Sequence, residues 1–368
     1  MRTTGGMSRS ESEAADIGII GIPDNRRVTG FVATATRMGL STRVLPWGAL
    51  LDDDARWEAL RGCARVRIDS AGEDAEVGER LMRLGGSAEA APARGELGHL
   101  RDHHAGFCHA LDRLAALKLP CVNAPASIQT MFDKLACHQL LSRGGIPRPD
   151  TALAPSSLPE FRARGRAKPS GQIFLKPRYG SSASGVCAYR WTPQREQLTA
   201  PIEIERRAGR VRLFNSLKVR TYRDAKDIDT ILSRLLPEGM IAETWIPKAS
   251  LDGMGFDLRV VVVADEARQV VLRQSPHPMT NLHLGNARGS LERFVREYGA
   301  RALDRCTELA VAATRCFDDV LYAGVDVLLS TDERAYVLEV NAFGDLLPGV
   351  RHRGETTYEA ILGAMCLI

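Results

Sequence analysis

The sequence predicts a mixed α/β protein of two or three domains. Three observations lead there. The chain begins with a β-α-β pattern: an apolar run at residues 17–22, a helical pattern at 31–39 and a stretch at 41–45 that resembles a second strand. Near its end, two runs rich in β-branched residues, 323–329 and 335–340, flank the polar stretch 330–334 and read as a β-hairpin. The length, 368 residues, is enough for more than one core.

In chain order, residues 1–15 are polar, lack the apolar run of a signal peptide and are expected to form a disordered arm. Residues 16–125 make an N-terminal α/β domain. Its Gly18-Ile19-Ile20-Gly21 is not the G-x-G-x-x-G of a dinucleotide site. His104 and Cys108, four apart, share a helix face; this is a weak metal candidate, because partly exposed histidines on a helix need no ligand role. Ala124-Pro125 marks a boundary. A central domain, 126–246, opens with a helix over 127–143, stopped by Gly144-Gly145. A strand at 172–177 ends at Lys176-Pro177, followed by a small-residue loop, 180–185, and a returning strand at 186–189. An arginine-rich hairpin spans 202–223, a helix 230–236, and a strand from 240 ends at the hinge-like Pro247. The C-terminal domain, 247–368, pairs strands at 256–263 and 269–273. A helix over 303–317 then leads into the closing hairpin.

The eight cysteines form no C-x-x-C pair, and several lie in apolar runs, as thiols do in a reducing compartment; a cytoplasmic enzyme is expected. The net charge of +4 is spread along the chain, so neither nucleic acid nor a membrane is expected as partner. No run approaches the length of a membrane span.

The closing hairpin carries the first chemistry. If Asp332-Glu333 is its two-residue tip, Asp326 falls opposite Glu339, and Asn341 shares the face of Glu339. Carboxylates directly opposite each other repel, unless a cation lies between them. An oxygen-only set suits magnesium, which usually also holds phosphates. The bland alternative is a pair of solvated charges. Lys176 adds weight: a lysine ends an apolar strand beside Gly180-Ser181-Ser182-Ala183-Ser184-Gly185, a loop whose small residues let amides and hydroxyls approach phosphate. No G-K-[ST] follows, so this is not a Walker A loop. Lys134 offers a second ammonium.

Here a family resemblance enters. Phe132-Asp133-Lys134-Leu135, Phe174-Leu175-Lys176-Pro177 with its loop, and Glu243-Thr244-Trp245-Ile246 resemble ATP-grasp enzymes. So do Asp257-Leu258-Arg259, Asp326, and Glu339 with Asn341, in that order over roughly residues 120 to 350. Asn281-Leu282-His283-Leu284-Gly285 and Leu338-Glu339-Val340-Asn341-Ala342 are similar to the ribosomal-protein glutamate ligase branch. The resemblance implies an ATP-grasp fold, with a pre-ATP-grasp domain followed by two α+β subdomains that sandwich ATP. It implies that Lys134 and Lys176 contact the phosphates, with Ser181, Ser182, Ser184 and Gly185 folding over them. Glu243, Thr244, Trp245 and Ile246 would form the adenine hinge, with Trp245 and Ile246 as apolar wall. Lys248, Asp257 and Asn281 would also lie against the nucleotide. Asp326, Glu339 and Asn341 would hold one or two magnesium ions, or manganese in their place. Arg259 and Arg273, with Lys176, would act on the transferring phosphoryl group.

The chain departs from that pattern in three places. Lys248 stands where an acidic ribose ligand is common, so that Asp252 or Asp257 would have to substitute. Phe343-Gly344-Asp345 replaces a Ser-Pro-Gly, and Leu284 replaces a basic residue. The expected reaction is ATP-dependent joining of a carboxylate to an amine through an acyl phosphate, with small-molecule or peptide substrates and a homodimer as the default assembly. The rivals are a small-molecule kinase, using His283 or Asp345 as base, and a non-catalytic nucleotide-binding protein. The N-terminal domain and the 202–223 hairpin, with Arg206, Arg207, Arg210 and Arg212, are the expected shapers of the acceptor side, although a solvated basic hairpin is the commoner reading of those arginines.

Overall fold

The computed structural model describes residues 16–366, except 73, 90–91, 166–167 and 181–182. The expected arm, residues 1–15, lies outside the described residues.

Among the described residues, three sheets organise the chain. The first is parallel, in the order Thr42–Pro46, Ile17–Gly21, Arg65–Ile68. Ile17, Ile19 and Ile20 are buried, as a strand covered on both faces requires. The following helix, Arg26–Arg37, starts five residues before its expected place. Asn25 caps it by accepting from the Arg27 amide, and its first turn is polar, so apolar periodicity begins only later. The short strand Arg65–Ile68 escaped the sequence reading because it holds two arginines, one of them fully buried.

The second sheet is antiparallel: Thr151–Leu153, Met240–Thr244, Gly171–Pro177, Cys187–Trp191, Glu196–Arg207, Arg210–Tyr222. Along Gly171–Pro177, Ile173 and Leu175 face a core closed by Ile231, Leu232 and Leu235 of the helix Ala225–Leu235. Alternation sends Phe174 and Lys176 to the other face.

The third sheet runs Ala287–Arg288, Glu266–Ser275, Met254–Val263, Tyr322–Leu329, Ala335–Asn341, with Ser250–Leu251 beside Met254–Val263. Leu258, Val260, Val325 and Val327 pack into the main core with Ala302, Cys306 and Ala310 of the helix Ala300–Thr314. Their neighbours point the opposite way: Asp257, Arg259, Arg273 and Asp326 are paired or adjacent across three strands and share that face.

Two local expectations are corrected. The single helix over 127–143 is two helices, Pro125–Phe132 and Lys134–Arg143. Asp133 separates them in an extended conformation, and its carboxylate accepts from the Leu135 and Ala136 amides, so it caps the second helix. The hairpin tip is also different. The Ser330 amide donates to the Arg334 carbonyl at 2.9 Å, leaving a three-residue tip with Glu333 at φ +57°. Leu329 therefore faces Ala335, one residue out of the predicted register. A bulge at Leu338 then restores the pairing, and Asp326 does face Glu339.

A buried ion cluster joins the first and third sheets. Asp345, fully buried, accepts from Arg27 and Arg67 at 2.7 Å each. The Arg67 guanidinium lies 4.4 Å from the Phe31 ring centre and 4.9 Å from that of Tyr322. Among the described residues no helix is long and apolar enough to cross a membrane.

Candidate active site

The second and third sheets turn their polar faces toward each other across a cavity of about 110 Å³. From one side come Phe174, Lys176 and Glu243. The Glu243 carboxylate lies diagonally across the strand pair from Lys176, 2.5 Å from its ammonium. Burial alone would lower the Lys176 pKa, but Glu243, with Glu339 and Asp326 behind it, holds it above the ordinary lysine value. Lys176 is therefore a fixed positive charge.

From the other side come Asp257, Arg273, Asp326 and Glu339. Asp326 and Glu339 are brought together by register, as the sequence implied. Burial would raise the Asp326 carboxyl, but Arg259 and Arg273 overcome it and hold it below the usual range. Arg259 reaches its two oxygens at 2.5 and 3.1 Å, and Arg273 lies 3.1 Å away. Lys134, first residue of its helix, sits 3.0 Å from Glu339 and donates to the Gly180 carbonyl at 2.5 Å. The Asp133 cap fixes that position, and Arg178 clamps Asp133 in turn.

Of the residues singled out from the sequence, Lys134, Lys176, Ser184, Glu243, Thr244, Ile246, Lys248, Asp257, Arg273, Asn281, Asp326 and Glu339 all line this cavity. Arg259 and Asn341 line an adjoining one. The Asn341 amide donates to the Gly324 carbonyl at 3.2 Å. Ser181 and Ser182 lie outside the described residues. Gly185 forms no part of the wall; at φ +70° it closes the turn of the loop. Trp245 is also displaced from its expected place as wall. Its ring packs on Phe174, centres 4.7 Å apart, under Arg190, and braces the wall from behind.

Lys248, partly buried in the cavity wall, lies 2.7 Å from the Thr280 hydroxyl and 3.2 Å from Asp257. Burial, with Arg273 and Lys176 nearby, pulls its pKa below the ordinary value against the attraction of Asp257. Asp257 is fully engaged, with Arg273 at 2.6 Å and the Thr280 hydroxyl as further partners. Asp252 cannot serve as a substitute here: it is exposed and paired with Arg293. Asp345, the base of the kinase alternative, is poorly placed for that role: it is fully buried, each of its oxygens is engaged by an arginine, and it lines neither cavity. The side chain of His283 lies outside the described residues. His104 stacks on Tyr179 with centres 4.1 Å apart, and no metal cluster of three His, Cys, Asp or Glu occurs among the described residues.

Sequence reasoning missed Thr280, Met279, Leu328 and Leu338 as wall residues. Leu338 precedes Glu339, and strict alternation would send the two to opposite faces. The bulge breaks that rule, so both line the cavity.

The chemistry of the walls fits a nucleoside triphosphate. Phe174, Ile246, Met279, Leu328 and Leu338 supply an apolar slot for a base, and the two lysines stand where phosphates need cations. Magnesium also fits. It commonly uses one or two protein carboxylates, completing its shell with phosphate oxygens and water; Asp326 and Glu339 are two such groups facing each other.

The family model for YheC/D-like ATP-grasp proteins matches residues 125–353. The chain belongs to that family. Its ATP-grasp fold extends over nearly the whole length of several solved enzymes. The ATP-grasp ligase PsnB, complexed with a minimal precursor, superposes with a TM-score of 0.53 at 15% identity, covering 96% of this chain and 99% of that one. The D-cycloserine synthetase DcsG gives 0.55 at 14%, covering 95% and 99%. N5-carboxyaminoimidazole synthase from Aspergillus clavatus, complexed with ADP and 5-aminoimidazole ribonucleotide, gives 0.55 at 15%, covering 95% and 77%. At such identities the likeness is one of fold. No curated protein matches the sequence.

Proposed function

We propose that this ATP-grasp protein is an ATP-dependent carboxylate–amine ligase. One observation carries the reading: Lys134 and Lys176 face Asp326 and Glu339 across a cavity that ends in an apolar slot. That arrangement would take the triphosphate at one end, with the γ-phosphate beside Arg259 and Arg273. Asp326, Glu339 and Asn341 would hold magnesium, which would offset the negative charge of the phosphates.

The substrate carboxylate attacks the γ-phosphorus, and the bond to the ADP oxygen breaks, giving an acyl phosphate. An amine then attacks the acyl carbon, phosphate leaves with its oxygen, and the amine proton passes to solvent. No nucleophilic side chain is required; the protein positions reactants and stabilises charge. Arg273, fixed by Asp257 and Asp326, needs no reorganisation to do so. The loop at 180–185 would close over the phosphates and exclude water from the acyl phosphate.

The solved structures of similar fold agree with both kinds of substrate, since PsnB has been complexed with a precursor peptide and the synthase with a ribonucleotide. A cytoplasmic setting agrees with the free thiols of the seven cysteines whose side chains are described.

The test is ADP release with ATP, magnesium and pools of carboxylic acids and amines. Glu339→Ala should lower turnover about a hundredfold or more, the scale of losing one transition-state contact, while the folded content stays that of the wild type. Wild-type turnover in this variant would refute the assignment.

A further inference from the structure

A second cavity, of about 470 Å³, adjoins the first and shares Gly180, Ser184, Arg273, Asn281 and Glu339 with it. A molecule lying there meets the phosphate end of the nucleotide site. Its size falls within the range of organic ligand pockets. The far wall is apolar: Phe107, Met131, Phe132, Phe343, Leu346 and Leu347. Phe132 sits at the centre, its ring 5.0 Å from Phe107 and 5.4 Å from Phe343. Phe343 opens the segment Phe343-Gly344-Asp345 that departs from the family pattern after Ala342.

The charged groups on this wall are already matched. Arg27 is held by Asp345 at 2.7 Å, and Arg259 by Asp326. Arg273 is shared between Asp257 and Asp326, and Glu339 faces Lys134. Burial lowers the pKa of His103, and burial with weaker charge effects takes His104 to about 4, so both are neutral near pH 7. The reacting carboxylate would lie beside Arg259 and Arg273. A second carboxylate on the same substrate would be buried without a cation of its own, which is strongly unfavourable. An apolar body would instead replace water against the phenylalanines.

We propose that this cavity takes the acyl substrate, a carboxylic acid with an aromatic or branched aliphatic body, and that Phe343 determines this specificity. The acyl-substrate side is thus set by Ser70, Leu100 and Phe107 of the N-terminal domain and by Phe343 and Leu347 beyond the hairpin. The arginine-rich strands Glu196–Arg207 and Arg210–Tyr222 contribute nothing to the described wall; Arg206 and Arg212 pair with Asp227 and Glu96. This inference rests on the ligase reading for its reaction, though not for its binding preference.

Two readouts on the full chain separate the two. Calorimetry with a non-hydrolysable ATP analogue and magnesium should show N-acetylphenylalanine or N-acetylleucine binding roughly tenfold or more tighter than N-acetylaspartate, the scale of discrimination by apolar pockets. Phe343→Ala should erase most of that preference, and Phe343→Leu should keep most of it for the leucine derivative. Equal or tighter binding of N-acetylaspartate, or an unchanged preference in Phe343→Ala, would overturn the proposal. In parallel, hydroxylamine and ATP should convert the bound acid to a hydroxamate. Preserved apolar binding without hydroxamate would leave the cavity assignment standing and remove the ligase reading.

Discussion

Lys176 and Glu243 depend on each other more than either depends on solvent. Glu243 is 1% exposed, and its carboxylate lies 2.5 Å from the lysine. Removing one partner of a buried pair leaves an uncompensated charge. Lys176→Met should therefore destabilise the fold by about 3–5 kcal/mol in urea unfolding and abolish ATP binding. Lys176→Met with Glu243→Gln should recover most of the stability but not the binding. Recovery of both would make the lysine structural only. This residue was legible in the sequence because a lysine ending an apolar strand beside a Gly/Ser loop stands out. Trp245 was not, because it lies just past the end of Met240–Thr244, where alternation no longer dictates which way a side chain turns. Thr280 gave no signal either, being a short polar side chain in a loop.

At the scale of elements, Asp133 is the pivot. It interrupts what reads as one helix, caps the second and presents Lys134 to Glu339. Asp133→Ala should cost about 1 kcal/mol as a lost cap, more with the Arg178 clamp gone. Because Lys134 would lose its fixed position, KM for ATP should rise while the far-ultraviolet spectrum stays unchanged. An unaltered KM would mean that Lys134 reaches its partners without the cap. The apolar spacing of residues 128, 131, 135 and 140 fits one continuous helix, so periodicity hid this break; only the Asp before an apolar helical run hinted at a cap. The hairpin offers the converse lesson. Its carboxylate pairing was predicted through a wrong tip, and the three-residue turn and the Leu338 bulge shift the register in compensating directions. A bulge leaves no compositional mark in a run such as Tyr336-Val337-Leu338, so its second consequence, Leu338 in the cavity wall, was unreadable.

Across the whole molecule, the Arg27–Asp345–Arg67 cluster fixes the first sheet against the third and thereby forms one side of the larger cavity. Its members lie up to 318 residues apart in sequence, so no local pattern could join them; Asp345 was legible only as a departure from a familiar motif. Arg67→Met leaves Asp345 with a single partner in a dry setting and should cost about 3–5 kcal/mol, read by urea unfolding. A loss below about 1 kcal/mol, the ordinary value for exposed pairs, would mean that water reaches the cluster. In the proposed reaction a carboxylate meets the γ-phosphorus between the sheet that carries Asp326 and Glu339 and the two elements that present the lysines, the helix that begins at Lys134 and the strand that carries Lys176. That geometry is tested most directly by following a heavy-oxygen label from the carboxylate of an accepted acid during turnover with ATP and an amine. The account predicts one labelled oxygen in inorganic phosphate for each ADP formed. Label in AMP, or a stable phosphoester with no phosphate released, would contradict it.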